Sequence, residues 1–178
     1  EPLSKLGLEP LDPAFTHEAF RAAAAGRSTR IKPLLLDQTV VAGLGNIYVD
    51  EALFAAGIHP ERPASTLTDG EWRRLRDSIV AVLREAVALG GSSVKSYVNG
   101  QGEMGMFQLR LKAYGRKNEP CLTCGTPIRK IAVGGRGTHF CPVCQPAEAS
   151  AEAGDEDAVA ASVARASFAA PLTGGSGR

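Results

Sequence analysis

The sequence lacks the features that would place it in or across a membrane. Its 178 residues contain no apolar run long enough to span a bilayer. The opening Glu1-Pro-Leu-Ser has neither the basic start nor the apolar core of a signal peptide. The sequence also lacks an initiator Met, so we expect a processed product or a fragment. It has no internal repeat. With 44% hydrophobic and 22% charged residues, the composition is that of a globular protein with no membrane partner.

Cysteine is scarce, and its four copies form two C-x2-C pairs with sixteen residues between them. Two such knuckles can place four thiolates around Zn²⁺ in a tetrahedron. The alternative, two disulfides, would require an oxidising compartment. We therefore predict one structural zinc ion and a reducing, cytoplasmic setting. The predicted ligands are Cys121, Cys124, Cys141 and Cys144.

The segment between the two pairs predicts a β-hairpin. Residues 128–133 are typical of a short strand, residues 134–137 are rich in glycine, and residues 138–140 are typical of the returning strand. His139 could replace a cysteine as a ligand, but with four thiols available we interpret it as an ordinary strand residue.

Charge is almost balanced overall, at +1, but it is unevenly distributed. Residues 107–146 contain seven Lys or Arg and one acid, whereas residues 147–178 contain two Arg and five acids. A small module this basic favours a phosphate-binding surface, and a merely solvated basic ribbon is the alternative.

The first 57 residues predict three helices. The first is short, capped by Thr16 and stopped before Gly26. The second is centred on residues 34–36, with Pro33 in its first turn. The third opens after Gly45 and ends before Gly57.

A longer helix is predicted behind Thr68-Asp-Gly-Glu71, because this tetrapeptide has the pattern of a capping box. Apolar side chains recur after it at helical spacing, so we expect one face of the helix to be buried and interpret these residues as core. They are Trp72, Leu75, Ile79, Val82, Leu83 and Ala86.

The rest of the chain divides by composition. Residues 1–10 predict a linker, residues 99–106 a polar glycine-rich loop, and residues 147–178 a disordered tail. Residues 107–114 alternate strictly between apolar and polar, which predicts a half-buried strand with a basic outer face.

The head of the third helix is a candidate anion site. The first N–H groups of a helix are unpaired and lie at the positive end of its dipole. Gly45 would let a phosphate approach, and Asn46 could donate to it or simply cap the helix. Arg27, Arg30 and Lys32 precede this helix and could each contact a phosphate or remain solvated charge.

Several segments together resemble formamidopyrimidine-DNA glycosylase over residues 6 to 145. They are Leu6-Gly-Leu-Glu-Pro-Leu, Ile31-Lys-Pro-Leu-Leu-Leu-Asp, Val40-Val-Ala-Gly-Leu-Gly-Asn-Ile-Tyr, Glu51-Ala-Leu-Phe-Ala-Ala-Gly-Ile-His-Pro and the terminal cysteine hairpin. The resemblance implies a mainly α-helical helix–two-turn–helix domain over residues 11–106, followed by a zinc-finger hairpin over residues 107–146.

The resemblance also implies roles for particular residues. Lys32 and Asn46 would bind phosphates around a damaged nucleotide, with Arg27 nearby. Arg136 would clamp the phosphates beside the lesion; the family assigns this Arg a catalytic proton transfer, but a guanidinium hardly releases a proton. Residues 99–108 would cover a flipped-out oxidised purine. The matching loop residues are Gly102, Glu103, Gly105 and Phe107, whereas Met104 and Met106 depart from the family pattern.

The family's chemistry is not expected in this chain alone. Its nucleophile is an amino-terminal proline with a neighbouring glutamate, carried on an N-terminal β-sandwich. Here Glu1 precedes Pro2, so the Pro2 nitrogen is a tertiary amide without a lone pair for attack. We expect a monomer that binds damaged double-stranded DNA in the bacterial nucleoid but does not excise a base.

Three interpretations of the function stay open. The chain could be the C-terminal part of a bifunctional glycosylase and AP lyase acting on oxidised purines, or a free-standing zinc-dependent DNA-binding module. A zinc ribbon that binds RNA or protein is the third. An endonuclease VIII-like relative specific for pyrimidines is an alternative within the first. An upstream reading frame beginning Met-Pro-Glu would separate the first interpretation from the second.

Overall fold

The computed structural model describes residues 6–90 and 111–147. Within these ranges it contains four α-helices, one short 3-10 turn and one two-stranded antiparallel hairpin, which confirms the predicted fold class. No helix in these ranges is long and apolar enough to cross a bilayer. In chain order the elements are α1 His17–Ala24, α2 Ile31–Leu36, α3 Asn46–Ala56, the 3-10 turn Ala64–Thr66, α4 Asp69–Gly90, β1 Arg129–Val133 and β2 Arg136–Phe140.

The two helix caps predicted from the sequence, at Thr16 and at Thr68–Glu71, are both formed. The Thr16 hydroxyl accepts a hydrogen bond from the Ala19 N–H at 3.1 Å, at the start of α1. At the start of α4, the Thr68 N–H donates to the Glu71 carboxylate at 2.9 Å, and the Glu71 N–H donates to the Thr68 hydroxyl at 3.1 Å. These reciprocal bonds satisfy two N–H groups that a helix start would otherwise leave unpaired.

The main core lies between α3 and α4 and includes the apolar face predicted for α4. Phe20 of α1 contacts Trp72 of α4 edge to face, with 4.9 Å between ring centroids. The α3 helix is buried from Tyr48 to Ala56, so it is the centre of the molecule. A helix buried on all sides can contact separate structures on opposite faces.

A second, smaller core joins α3 to the cysteine-rich region. Phe54 of α3 is fully buried there with Ala113, Cys121, Ile128 and Cys141. The helical domain and the hairpin region therefore share one buried side chain rather than meeting only at polar surfaces.

The hairpin has a two-residue turn. Val133 pairs with Arg136, and the intervening Gly134 and Gly135 both have positive φ, at 58° and 80°. Tight hairpins of this kind need left-handed backbone at both turn positions, which glycine adopts without a steric penalty. Arg136 is therefore the first residue of β2, directly after the turn.

Two sequence expectations differ from the structure. Residues 6–8, predicted to be part of a linker, run alongside residues 38–42: the Leu8 N–H donates to the Val40 carbonyl at 3.0 Å, and the Ala42 N–H donates to the Leu8 carbonyl at 2.8 Å. The described end of the predicted strand, residues 111–114, forms bends and turns, and Lys112 is buried instead of facing solvent. The predicted loop 99–108 and the tail from residue 148 lie outside the described residues.

Candidate metal centre and nucleic-acid interface

The four cysteines converge on one point. Their sulfur atoms all lie within 4.8 Å of one another, with 3.8 Å between the Sγ atoms of Cys121 and Cys144 and 3.5 Å between those of Cys124 and Cys141. A tetrahedral zinc site with Zn–S bonds of about 2.3 Å requires S···S distances of about 3.8 Å. No disulfide joins these cysteines, and their convergence favours the predicted zinc site over the alternative of two bridges.

Backbone hydrogen bonds shape the first knuckle. The Gly125 N–H donates to the Cys121 carbonyl at 2.8 Å, and Gly125 has a φ of 85° that favours glycine. The Thr123 N–H donates to the Cys121 sulfur at 3.3 Å. Such N–H···S contacts orient a thiolate before a metal binds.

The ionisation of the thiols also fits a cation. Hydrogen bonds from the side chain and backbone of Thr126 lower the pKa of Cys124 to about 6. Burial raises the pKa of Cys141 and of Cys144, and the charge of the neighbouring Cys121 raises both further. Four thiolates this close repel one another unless a cation lies between them, and a set of four cysteine sulfurs is typical of structural zinc. The centre is a site for one structural Zn²⁺, and His139 is not among its ligands.

One face of α3 holds the hairpin. Asn46, Asp50 and Phe54 follow one another at intervals of four residues, so they lie on the same side of the helix. The Asn46 carboxamide donates to the Gly137 carbonyl at 3.2 Å, and the Asp50 carboxylate accepts from the His139 N–H at 2.9 Å. Phe54 completes the contact through the smaller core.

Glu51, which follows Asp50 on α3, holds residues 112–114, where the chain enters the cysteine-rich region. Its buried carboxylate accepts three backbone hydrogen bonds, from Lys112 at 2.9 Å, Ala113 at 2.8 Å and Tyr114 at 2.7 Å. These bonds hold residues 112–114 in a turn around the carboxylate, which explains why the predicted strand is not formed there.

A glutamine makes a third connection, beside the second knuckle. The Gln145 side chain accepts from the Cys141 N–H at 2.8 Å and donates to the Ile58 carbonyl at 3.0 Å. The zinc region is thereby tied to the residues that follow α3. Sequence reasoning missed Asp50, Glu51 and Gln145; the signal for the first two was a pair of acids inside an otherwise apolar buried helix, since buried carboxylates require partners.

Lys32 does not have the position expected of a phosphate ligand. Its side chain is fully buried, and its ammonium group donates to Asp50 at 2.7 Å, Thr138 Oγ1 at 2.8 Å and the Gly137 carbonyl at 3.1 Å. An ammonium has three N–H donors, so protein acceptors use all of them. Burial lowers the pKa of Lys32 and the Asp50 carboxylate opposes that effect. The phosphate contact of Lys32 stays a prediction, and in this arrangement all three ammonium donors are directed to protein acceptors.

Arg136 and Asn46 are brought together. Arg136 is exposed on β2, one residue before the Gly137 carbonyl that receives the Asn46 hydrogen bond. The turn is seated on α2, because a Cβ added to Gly134 would lie 3.3 Å from the Pro33 ring. Asn46 is the first residue of α3, with Gly45 at the cap position and no side-chain cap. The exposed Arg136 thus directly precedes the residue whose carbonyl is bonded to the first residue of α3.

Arg27 is paired with residues beyond the end of α2. Its guanidinium donates to the Asp37 carboxylate at 2.8 Å and to the Thr39 hydroxyl at 3.3 Å, beyond the end of α2. Hydrogen bonds from Thr39, followed by those from Arg27, lower the pKa of Asp37 to about 2. A phosphate at Arg27 would have to share it with this carboxylate. The predicted loop residues Gly102, Glu103, Gly105 and Phe107 lie outside the described residues.

Comparison with known proteins places these elements in a family. Residues 6–98 match the formamidopyrimidine-DNA glycosylase H2TH domain, and residues 118–147 match the zinc finger found in FPG and IleRS. A formamidopyrimidine-DNA glycosylase from Brevibacillus brevis is 65% identical over 144 residues, which are 81% of this chain and 52% of that protein.

Two solved structures of the Lactococcus lactis enzyme are similar in fold. One is a complex with DNA containing FAPY-dG, with a TM-score of 0.71, 47% identity and coverage of 82% of this chain and 52% of that one. The other is a complex with DNA containing an oxidised pyrimidine, with a TM-score of 0.72 and the same identity and coverage. The chain spans about half the length of the relatives that it matches. With more than half of its residues matched by the H2TH domain, the chain belongs to the formamidopyrimidine-DNA glycosylase family.

Proposed function

We propose that this chain is the DNA-binding part of a bifunctional DNA glycosylase and AP lyase that repairs oxidised purines. The observation that carries the proposal is that the exposed Arg136 directly precedes Gly137, whose carbonyl accepts a hydrogen bond from Asn46 at the N-terminus of α3. Residues 11–106 and 107–146 are the two DNA-binding units of this proposal, and the chain acts as a monomer in the bacterial cytoplasm, at the nucleoid.

The chemistry of this surface suits a phosphate backbone. A carboxamide has two N–H donors, and the Gly137 carbonyl takes one from Asn46. No described residue pairs with the Arg136 guanidinium, which offers a fork of donors suited to phosphate oxygens. The first N–H groups of α3 and its dipole add a further attraction for an anion. Arg136 acts here as an electrostatic clamp rather than as a proton donor.

The proposed substrate is a purine lesion, with residues 99–108 covering the extruded base. Glycosylases of this kind flip the damaged nucleotide out of the duplex, so a covering segment excludes water and reads the base. Because the Lactococcus lactis enzyme is known with both FAPY-dG and oxidised-pyrimidine DNA, a pyrimidine substrate is the alternative to be tested.

The 178 residues themselves are proposed to bind without excising. An attacking amine needs a free lone pair, and the Pro2 nitrogen is an amide. Lys32, on α2 beside the hairpin, is buried and has three hydrogen bonds to protein acceptors, so it is no better placed to attack a sugar.

The test combines binding with chemical trapping. The zinc-loaded chain is incubated with duplexes containing 8-oxoguanine, an oxidised pyrimidine or an abasic site, and with an undamaged duplex as the control. Gel retardation measures binding, and borohydride traps any imine. We expect retardation of the abasic duplex without a trapped adduct. A trapped adduct would show an active amine in this chain, and equal affinity for damaged and undamaged DNA would favour a general DNA-binding module.

A further inference from the structure

A buried ion pair joins the helical domain to the hairpin. Lys32 on α2 and Asp50 on α3 are both fully buried, with 2.7 Å between Nζ and Oδ1. Each also bonds to β2: Lys32 to the Gly137 carbonyl and the Thr138 hydroxyl, and Asp50 to the His139 N–H. We refer to Lys32 and Asp50 with these three contacts as the latch.

The latch covers the free edge of β2. In an antiparallel pair the hydrogen-bonded and non-hydrogen-bonded positions alternate, and Val133–Arg136 closes the two-residue turn. Gly137 and His139 are then at non-hydrogen-bonded positions, with the Gly137 carbonyl and the His139 N–H directed away from β1. Those are the two groups that Lys32, Asn46 and Asp50 engage.

We infer that Asp50 is a positioning residue for DNA binding, which with Lys32 fixes β2 on α3 and so sets where Arg136 lies relative to the head of α3. This inference rests on the proposed function. Arg136 directly precedes Gly137, so a shift of β2 along α3 moves its backbone with it. In this proposal neither Asp50 nor Lys32 contacts DNA, because both side chains are fully buried.

The latch and the clamp can be separated by paired substitutions. Lys32→Met with Asp50→Leu removes both charges together and leaves no unpaired ion, which single substitutions would leave. The control is Arg62→Met with Glu71→Leu, which removes a second buried ion pair, at 2.9 Å, together with the bond from the Thr68 N–H to Glu71 and the 4.0 Å contact of Glu71 with Arg74. Zinc content and Trp72 fluorescence establish that each variant of the full chain is folded.

Two readouts then apply to the zinc-loaded chain. Hydrogen exchange of the His139 amide, followed by NMR, reports the latch directly, since its acceptor is the Asp50 carboxylate. The second is the effect of Arg136→Ala on the affinity for an abasic duplex, measured in each background. Residues that act together give non-additive effects, whereas independent ones give effects that add.

In the unmodified chain we expect Arg136→Ala to weaken binding on the order of tenfold. In the Lys32→Met, Asp50→Leu background, the same change should weaken binding about twofold or less, and the His139 amide should exchange rapidly. The Arg62, Glu71 control should retain the full effect and a protected amide. Lys32→Gln with Asp50→Asn, which keeps uncharged hydrogen-bonding groups at both positions, should restore the full Arg136 effect and the protected amide. If the apolar pair does not fold, Asp50→Asn alone serves as the test variant, because one carboxamide oxygen cannot replace both carboxylate oxygens that accept from Lys32 and His139.

A full effect of Arg136→Ala despite a rapidly exchanging His139 amide would overturn the positioning role. The same follows if the control background reduces the Arg136 effect equally, because the cause would then be general destabilisation. A wild-type chain that fails to retard abasic DNA would overturn the proposed function instead, and the two failures are distinct because only in the former does the unmodified chain bind.

Discussion

Replacing Glu51 by glutamine should detach the entry of the zinc region from α3. The Glu51 carboxylate accepts one N–H on Oε1 and two on Oε2. Glutamine has nearly the same shape, but its amide nitrogen cannot accept, so in either orientation at least one backbone N–H faces another donor. Burial raises the pKa of Glu51, and the three N–H donors oppose this effect by favouring the ionised carboxylate, so the loss is greater than for a neutral hydrogen bond.

The size of the effect follows from these contacts. Hydrogen bonds to charged groups contribute about 1.5–3 kcal/mol each, and a buried N–H without a partner costs about 1–3 kcal/mol. Losing one bond and weakening two others should lower the free energy of unfolding by about 3 kcal/mol. For a chain of this size that corresponds to a fall in Tm on the order of 10 °C.

The assay follows both parts of the molecule during urea unfolding. Fluorescence of Trp72, the single tryptophan, reports the helical core, and release of zinc to a chromogenic chelator reports the cysteine-rich region. Glu119→Gln is the control, because Glu119 is in the same region but is 56% exposed in its ion pair with Arg116. Surface pairs contribute about 0–1 kcal/mol. A Glu51→Gln variant no less stable than the Glu119→Gln variant would refute the assigned anchoring role.

Three further predictions concern the zinc site, the clamp and acid stability. Cys121→Ser should abolish stoichiometric zinc binding and weaken DNA binding; unchanged retardation of abasic DNA would count against zinc-dependent recognition. Arg136→Ala should reduce the salt dependence of binding by about one unit of slope, and an unchanged slope would remove Arg136 from the phosphate contacts. Burial alone would raise the pKa of Glu71, but hydrogen bonds from Arg62 and Thr68 hold it below its usual 4.5. Its stabilisation is therefore present above pH 4.5 and lost as the pH falls through the lowered value, so the stability difference between wild type and Glu71→Gln should shrink there.

Local chemistry made much of the fold predictable. The Thr68–Glu71 capping box, the glycine at the end of α3 and the cysteine spacing each specify a local geometry that tertiary contacts do not override. All six core residues predicted for α4 are buried, because helical periodicity reports directly which face is covered. The four zinc ligands were also identifiable from local sequence, since a zinc knuckle is defined by cysteines only three positions apart.

Lys32 shows the limit of reasoning from local sequence. A lysine in a basic segment before a helix favours a solvated or phosphate-bound ammonium, and only the fold shows that Asp50, eighteen positions later, lies within 2.7 Å. The acceptors on β2 lie more than a hundred positions away in sequence. No local pattern encodes contacts of that range; the one accessible clue was the acid at position 50, since a carboxylate in a buried helix requires a cation or several N–H donors.

The spacing of Asn46, Asp50 and Phe54 connects the zinc site to the proposed DNA-binding surface. Zinc fixes the cysteine-rich region, in which Cys121 and Cys141 pack on Phe54. Asp50, one turn earlier, holds His139 of β2, and Asn46, a further turn towards the start of α3, reaches Gly137 beside the exposed Arg136. Because these contacts lie on one helix face, loss of the metal should loosen the packing on Phe54 and with it the β2 contacts of Asp50 and Asn46. Zinc removal should therefore affect DNA binding through the placement of Arg136, although no zinc ligand is proposed to contact DNA.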